Sequence, residues 1–225
     1  MAYPPPVAVI VQRQISPITT VLIAATLALS LIVAIDARTG GALYHHLALL
    51  PEAVWHGQVW RLMTWPFIQG RPLPLIIACV VLYVFGSDLL VSWGPRRYLR
   101  YVAGMVLIAG IGTSLIALVL PAAWDLPRLG GMVVSDVLVI AWARQFPDQP
   151  VLIYFVLLLR GRAVVSVIVA TTVVFAVFYG IAWMLPELVG VAAALLHMNR
   201  SAHRSWLKIK LAWTRRRLRV VRGGR

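Results

Sequence analysis

The stretch ITTVLIAATLALSLIVAI, Ile18–Ile35, carries no charge and is closed by Asp36. As a helix rising about 1.5 Å per residue it would be roughly 27 Å long, close to the thickness of a bilayer's hydrocarbon core. The residues before it, MAYPPPVAVIVQRQ, lack a basic n-region, and no small-residue cleavage site follows, so the run is expected to stay as a membrane anchor. The rest of the chain agrees. Of its 225 residues, 61% are hydrophobic and only 12% charged, with nine tryptophans. A soluble domain is nearer half apolar and about a quarter charged.

Outward from this first span, further apolar runs follow. Leu75–Leu90 starts after Pro72 and Pro74 and ends before the turn WGPRRYLR. Tyr101–Leu120 contains Gly104, Gly110 and Gly112, residues suited to close helix packing. A fourth span begins at Met132, runs through Ala143 and stops near FPDQP. The run VLIYFVLLL, residues 151–159, is too short to cross and reads as interfacial or re-entrant. Ala163–Gly180 is a fifth span, GIAWMLP a breaker, and Glu187 to about His197 a short sixth. Reading 163–197 as one kinked helix would leave five spans, and charge decides between the two. With six spans and a cytoplasmic N-terminus, seventeen basic residues fall inside and only Arg38, Arg61, Arg71 and Arg128 outside. A five-span chain would strand one basic cluster on the wrong side. The expected architecture is therefore all-α, with six transmembrane helices and both termini cytoplasmic. It divides into a short N-terminal segment (1–17), a membrane domain (18–198) with an external loop at 37–71, and a basic tail (199–225).

That tail holds ten of the 21 basic residues. On a helical projection of about 100° per residue, Arg204, Lys208, Arg215, Arg219 and Arg222 share a stripe, opposite Trp206, Ile209, Trp213 and Val220. This is the pattern of an amphipathic helix on an anionic leaflet, so membrane lipid is the expected partner and nucleic acid is not. Ser201, Ser205 and Thr214 among these charges would suit an electrostatic switch. The lone Cys79 lies within an apolar run and has no internal disulfide partner.

Three places together resemble one family. GQVWRLMTWPF (57–67) looks like the Trp-Arg motif in the first external loop of rhomboid proteins. FGSDLLVSWGPRRYLRYV (85–102) is similar to the end of the second rhomboid span and its following turn, and FPDQPVLIYFVLLLRGR (146–162) to the connection after the fourth. The resemblance covers about residues 50 to 198 and implies a rhomboid-like six-span fold. Active rhomboids are intramembrane serine proteases. Their nucleophile lies in Gly-x-Ser-Gly opening span 4, their general base is a histidine opening span 6, and a His and an Asn in span 2 stabilise the oxyanion. Such chemistry needs an activated serine and preplaced donors. Here the matching positions hold Met132, Glu187, Pro74 and Ala78. None can play its part, so no catalytic residue and no cofactor is expected.

Ser135 is the alternative nucleophile, in a register with a shorter span 4. It is followed by Asp136 rather than Gly and preceded by valines, and His197 is expected near the far end of span 6, about a bilayer away by helix rise. Asp136 and Glu187 are intramembrane carboxylates near the mouth of the former cleft. They are hydrated or paired with Arg128, or serve as a polar handle for a partner helix, or form a proton- or cation-binding pair. Trp60 and Arg61 should fix the external loop at headgroup level, with lipid or partner selectivity as the other reading. His45, His46, Glu52 and His56 match no strong zinc spacing, so no metal is expected. Asp88 is expected to meet Arg96 or Arg97.

The resemblance implies a rhomboid pseudoprotease that recognises transmembrane helices of client proteins or locally perturbs the bilayer. The alternatives are an active protease using Ser135, and a transporter or channel, for which two carboxylates at one end offer no continuous path. The expected location is a multi-pass position in a bacterial inner membrane.

Overall fold

The structure is a computed structural model that describes residues 16–38, 40–130, 132–153 and 157–199. The tail residues Arg204, Trp206, Lys208, Trp213, Arg215, Arg219 and Arg222, and the first fifteen residues, lie outside the described part.

Helix α1, Pro17–Asp36, turns its hydroxyls inward. Thr19, Thr26, Ser30 and Val33 are buried, while Val21, Leu31, Ile32 and Ile35 are exposed. Polar groups inside and apolar groups outside is the inverse of a soluble helix, and it suits a hydrocarbon surround. The Ser30 hydroxyl donates to the Phe67 carbonyl at 3.2 Å and accepts the Gln69 N–H at 3.0 Å. It thereby ties the helix to the end of the first loop. That loop folds into three short helices, α2 (Ala42–Leu47), α3 (Pro51–Trp55) and α4 (Arg61–Thr64), followed by a 3-10 turn at Trp65–Phe67.

The next helix is continuous from Pro72 to Trp93, 22 residues. It comprises α5 (Pro72–Val81), a π-helical turn at Leu82–Gly86 and α6 (Ser87–Trp93). It starts at the prolines and not after them, because a first-turn proline forfeits no intrahelical hydrogen bond. Gly94, with φ +78°, turns the chain into α7, Pro95–Ala117. The hairpin closes tightly: a Cβ on Gly86 would stand 2.8 Å from the Tyr98 hydroxyl oxygen.

Helix α8, Val133–Gln145, is only 13 residues long and occupies the middle of the bundle. Val133, Val137, Leu138, Ile140 and Ala141 are fully buried, so protein rather than lipid surrounds it. The following run, too short to cross, forms paired strands. Pro150–Ile153 (β1) and Leu157–Arg160 (β2) pair antiparallel, with Pro150 opposite Arg160 and Ile153 opposite Leu157. Too short for a membrane helix and rich in β-formers, the segment satisfies its backbone by pairing instead.

Helix α9 spans Gly161–Tyr179 and α10 spans Leu185–Asn199. Gly180, at φ +88°, stops α9, so residues 163–197 are two helices and not one kinked rod. Among the described residues, four helices are long and apolar enough to cross a membrane: Pro17–Asp36, Pro72–Trp93, Pro95–Ala117 and Gly161–Tyr179. The chain is an all-α membrane protein with one short antiparallel strand pair among the described residues. The first loop lies at the start of the Pro72–Trp93 helix and the Gly94 turn at its other end.

Candidate functional site

At the first-loop end, two connections are clasped together. Leu49 and Arg128 form an antiparallel bridge, with Leu49 N–H donating to the Arg128 carbonyl at 2.8 Å and Arg128 N–H to the Leu49 carbonyl at 2.9 Å. Further along, Glu52 N–H donates to Trp124 O at 3.2 Å and Gly130 N–H to Ile68 O at 2.9 Å. Glycine is required at 130 because a Cβ there would fall 2.5 Å from the Pro66 carbonyl oxygen. The Arg128 side chain is 2% exposed. Its guanidinium donates to Ala182 O at 3.1 and 2.6 Å, to Leu126 O at 3.1 Å and to Ala123 O at 3.2 Å. One arginine thus gathers the 118–130 connection and the α9–α10 turn. Burial pushes its pKa down to about 10, and the nearby Glu187 charge opposes that fall.

Trp60 and Arg61 staple the first loop to itself. The Trp60 indole donates to His46 O at 3.2 Å. Arg61 donates to Ala48 O and to Gln58 Oε1, both at 2.7 Å. The Trp60 ring is half exposed while Arg61 is buried, and burial lowers the Arg61 pKa. Guanidinium's several donors suit both arginines to this caging of carbonyls. Arg128 was legible only as a possible partner for a carboxylate. A lone arginine between apolar residues and a Gly-Gly pair was the available signal.

The positions matched to the rhomboid nucleophile and base come together. The Glu187 carboxylate, in the first turn of α10, lies beside the backbone N–H of Met132. Helix α10 can approach because Gly190 lies against Val133, where a Cβ would be 2.9 Å from Cγ1. Asp136 is near enough to Glu187 for their charges to interact. Among the described residues Arg128 forms no ion pair with Glu187 within 4.0 Å, and its hydrogen-bond donors go to carbonyls. Pro74 is half-buried in the first turn of α5 and Ala78 is buried one turn later.

Ser135 is buried at 4% exposure. His197 is nearer to α8 than helix rise suggested. Tyr101 touches both helices: its hydroxyl donates to Val137 O at 2.9 Å, and its ring centroid is 5.6 Å from that of His197. The histidine ring therefore stands against Tyr101, not Ser135. Rise along one helix ignores how a tyrosine bridges neighbours. Asp88, expected beside Arg96 or Arg97, accepts the Trp142 indole N–H at 2.8 Å. In the first loop, His56 contacts Glu52 O at 2.8 Å and His45 packs edge-on to Tyr44. No three His, Cys, Asp or Glu side chains gather as metal ligands among the described residues.

Apolar helices joined by a clasped first loop define a multi-pass membrane protein. The family follows from comparison with known proteins. The chain belongs to the eukaryotic integral membrane protein family DUF1751, whose model matches residues 18–199. It is similar to Derlin-1 of Arabidopsis thaliana, with 29% identity over 154 residues, 68% of this chain and 54% of that protein. The chain thus spans about half the length of the curated relative it matches. The family corrects the expected location. It points to a eukaryotic membrane and not a bacterial inner membrane, a distinction that apolar runs and positive-inside bias do not encode.

Proposed function

We propose that this protein is a non-enzymatic, rhomboid-derived receptor for the transmembrane helices of other membrane proteins. In this reading it crosses the membrane six times, with α8 and α10 as the short spans and both termini cytoplasmic, and its basic tail rests on an anionic leaflet. The observation that supports the proposal is that Glu187 and Met132, the positions the resemblance matches to the rhomboid base and nucleophile, lie beside each other. In this reading the fold keeps the cleft and puts it to use in binding. A lateral route also supports it. Helices α5 and α9 both pack on α8 and hardly on each other. Each exposes apolar side chains, Ile76 and Val80 on α5 and Val174 and Phe178 on α9.

Site-specific photocrosslinking in native membranes tests this. A photoreactive residue at Ile76, Val80, Val174 or Phe178 is expected to give discrete adducts with membrane proteins. The same probe at Val21 or Leu31, on the outer face of α1, should give lipid adducts only. Equal protein adducts from α1, or none from α5 and α9, would refute the receptor reading.

A further inference from the structure

At the Gly94 end, six arginines lie exposed on three connections: Arg96, Arg97 and Arg100 opening α7, Arg144 closing α8, and Arg160 and Arg162 flanking the start of α9. The first turns of α7 and α9 contain no acidic residue. Basic side chains at helix N-termini oppose the helix dipole, so an anion held beside them would be favourable. Of the carboxylates at this end, Asp148 pairs with Arg162 at 3.4 Å in solvent, and Asp88 accepts the Trp142 indole N–H among its interactions.

The arginines are also organised. Arg97 lies over the Trp93 ring, 5.0 Å from its centroid. Arg100 Nε donates to Arg96 O at 3.2 Å. The Trp93 indole donates to Gln145 Oε1 at 3.3 Å, and Arg144 precedes that glutamine in the last turn of α8. Trp93 in turn packs edge-on to Tyr101, at 5.2 Å between centroids. Trp93 closes the 22-residue helix Pro72–Trp93, so this cluster stands at headgroup depth, where tryptophan is favoured. Basic pockets between transmembrane helices at that depth suit lipid phosphates.

We propose that the edge formed by Trp93, Arg96, Arg97, Arg100 and Arg144 is a binding site for the headgroup of an anionic phospholipid, separate from the basic tail. The phosphate sits among the guanidinium groups, and Trp93 holds Arg97 in place for it.

The test uses the full chain reconstituted in phosphatidylcholine vesicles, with spin-labelled phosphatidylserine or phosphatidylcholine as the reporter. The motionally restricted fraction of each gives a selectivity ratio. Replacing Arg96, Arg97, Arg100 and Arg144 with Gln should lower that ratio at least roughly fivefold, the effect of losing about one basic residue's attraction. Replacing the same four with Lys should restore most of it. A tail variant with Arg215, Arg216, Arg217 and Arg219 changed to Gln should still show the drop when the four-residue change is added. An unchanged ratio in the Gln variant, or no selectivity in the unmodified protein, would overturn the site.

Discussion

Leu49 and Arg128 exchange both backbone hydrogen bonds, at 2.8 and 2.9 Å, across 79 residues of chain and between two loops that share no helix. This bridge joins the first loop to the connection that feeds α8. Whatever shifts one loop therefore shifts the entrance of the central helix. The backbone pairs leave no donor or acceptor open at the join, as buried peptide groups require.

Gly130 is the steric limit on that clasp. A methyl group there meets the Pro66 carbonyl oxygen at 2.5 Å and the Gln69 amide at 3.0 Å. The obstacle is backbone, which a rotamer change cannot move. Gly130→Ala should destabilise the detergent-solubilised protein by about 1–3 kcal/mol, the usual cost of overpacking. Thermal unfolding followed by tryptophan fluorescence checks it, and an unchanged Tm would mean the loops are not locked as described.

Arg128 should not tolerate lysine. Its guanidinium reaches the carbonyls of Ala123, Leu126 and Ala182, and a single ammonium on a flexible stem lacks that fork. Each hydrogen bond to a charged group contributes about 1.5–3 kcal/mol, so Arg128→Lys should cost on the order of 3 kcal/mol and Arg128→Met more. Hydrogen exchange should rise at residues 121–128 and 180–184 together. Full stability in the lysine variant would show that charge alone suffices there.

Gly112 and Val189 set the spacing of α7 and α10. A Cβ on Gly112 would be 2.6 Å from Val189 Cγ1. Here the obstacle is a side chain, so its removal should relieve the clash. Gly112→Ala is expected to lower stability, and Val189→Ala to recover part of the loss. A double-mutant cycle should give a coupling of about 0.5–3 kcal/mol. Strict additivity would place the two helices further apart.

The long spans were legible because lipid demands apolar runs of a minimum length, and Ile18–Ile35 lies within a helix that extends by only a residue at each side. The second span starts at Pro72, three residues before the expected Leu75, because hydropathy registers composition and not proline's tolerance in a first turn. Met132 and Glu187 were each named from the resemblance, but their proximity was not. The carbonyl cage of Arg128 and its bridge to Leu49 were not. They join residues from three loops, and no periodicity encodes contacts between loops. The strand pairing of Pro150–Ile153 with Leu157–Arg160 was not legible, because a short apolar run fits a strand and a helix equally.

Ser135 provides the decisive test of chemistry. It is 4% exposed, and His197, which would have to activate it, faces Tyr101 instead. A serine without a base remains a weak nucleophile. The purified protein should therefore give no covalent adduct with a fluorophosphonate probe, beside an active rhomboid that does. Ser135→Ala should leave that background unchanged and shift the Tm little, since the replacement removes one buried hydroxyl. Labelling that vanishes in Ser135→Ala would instead make the protein a working protease, and α8 would then have to open enough to admit the probe.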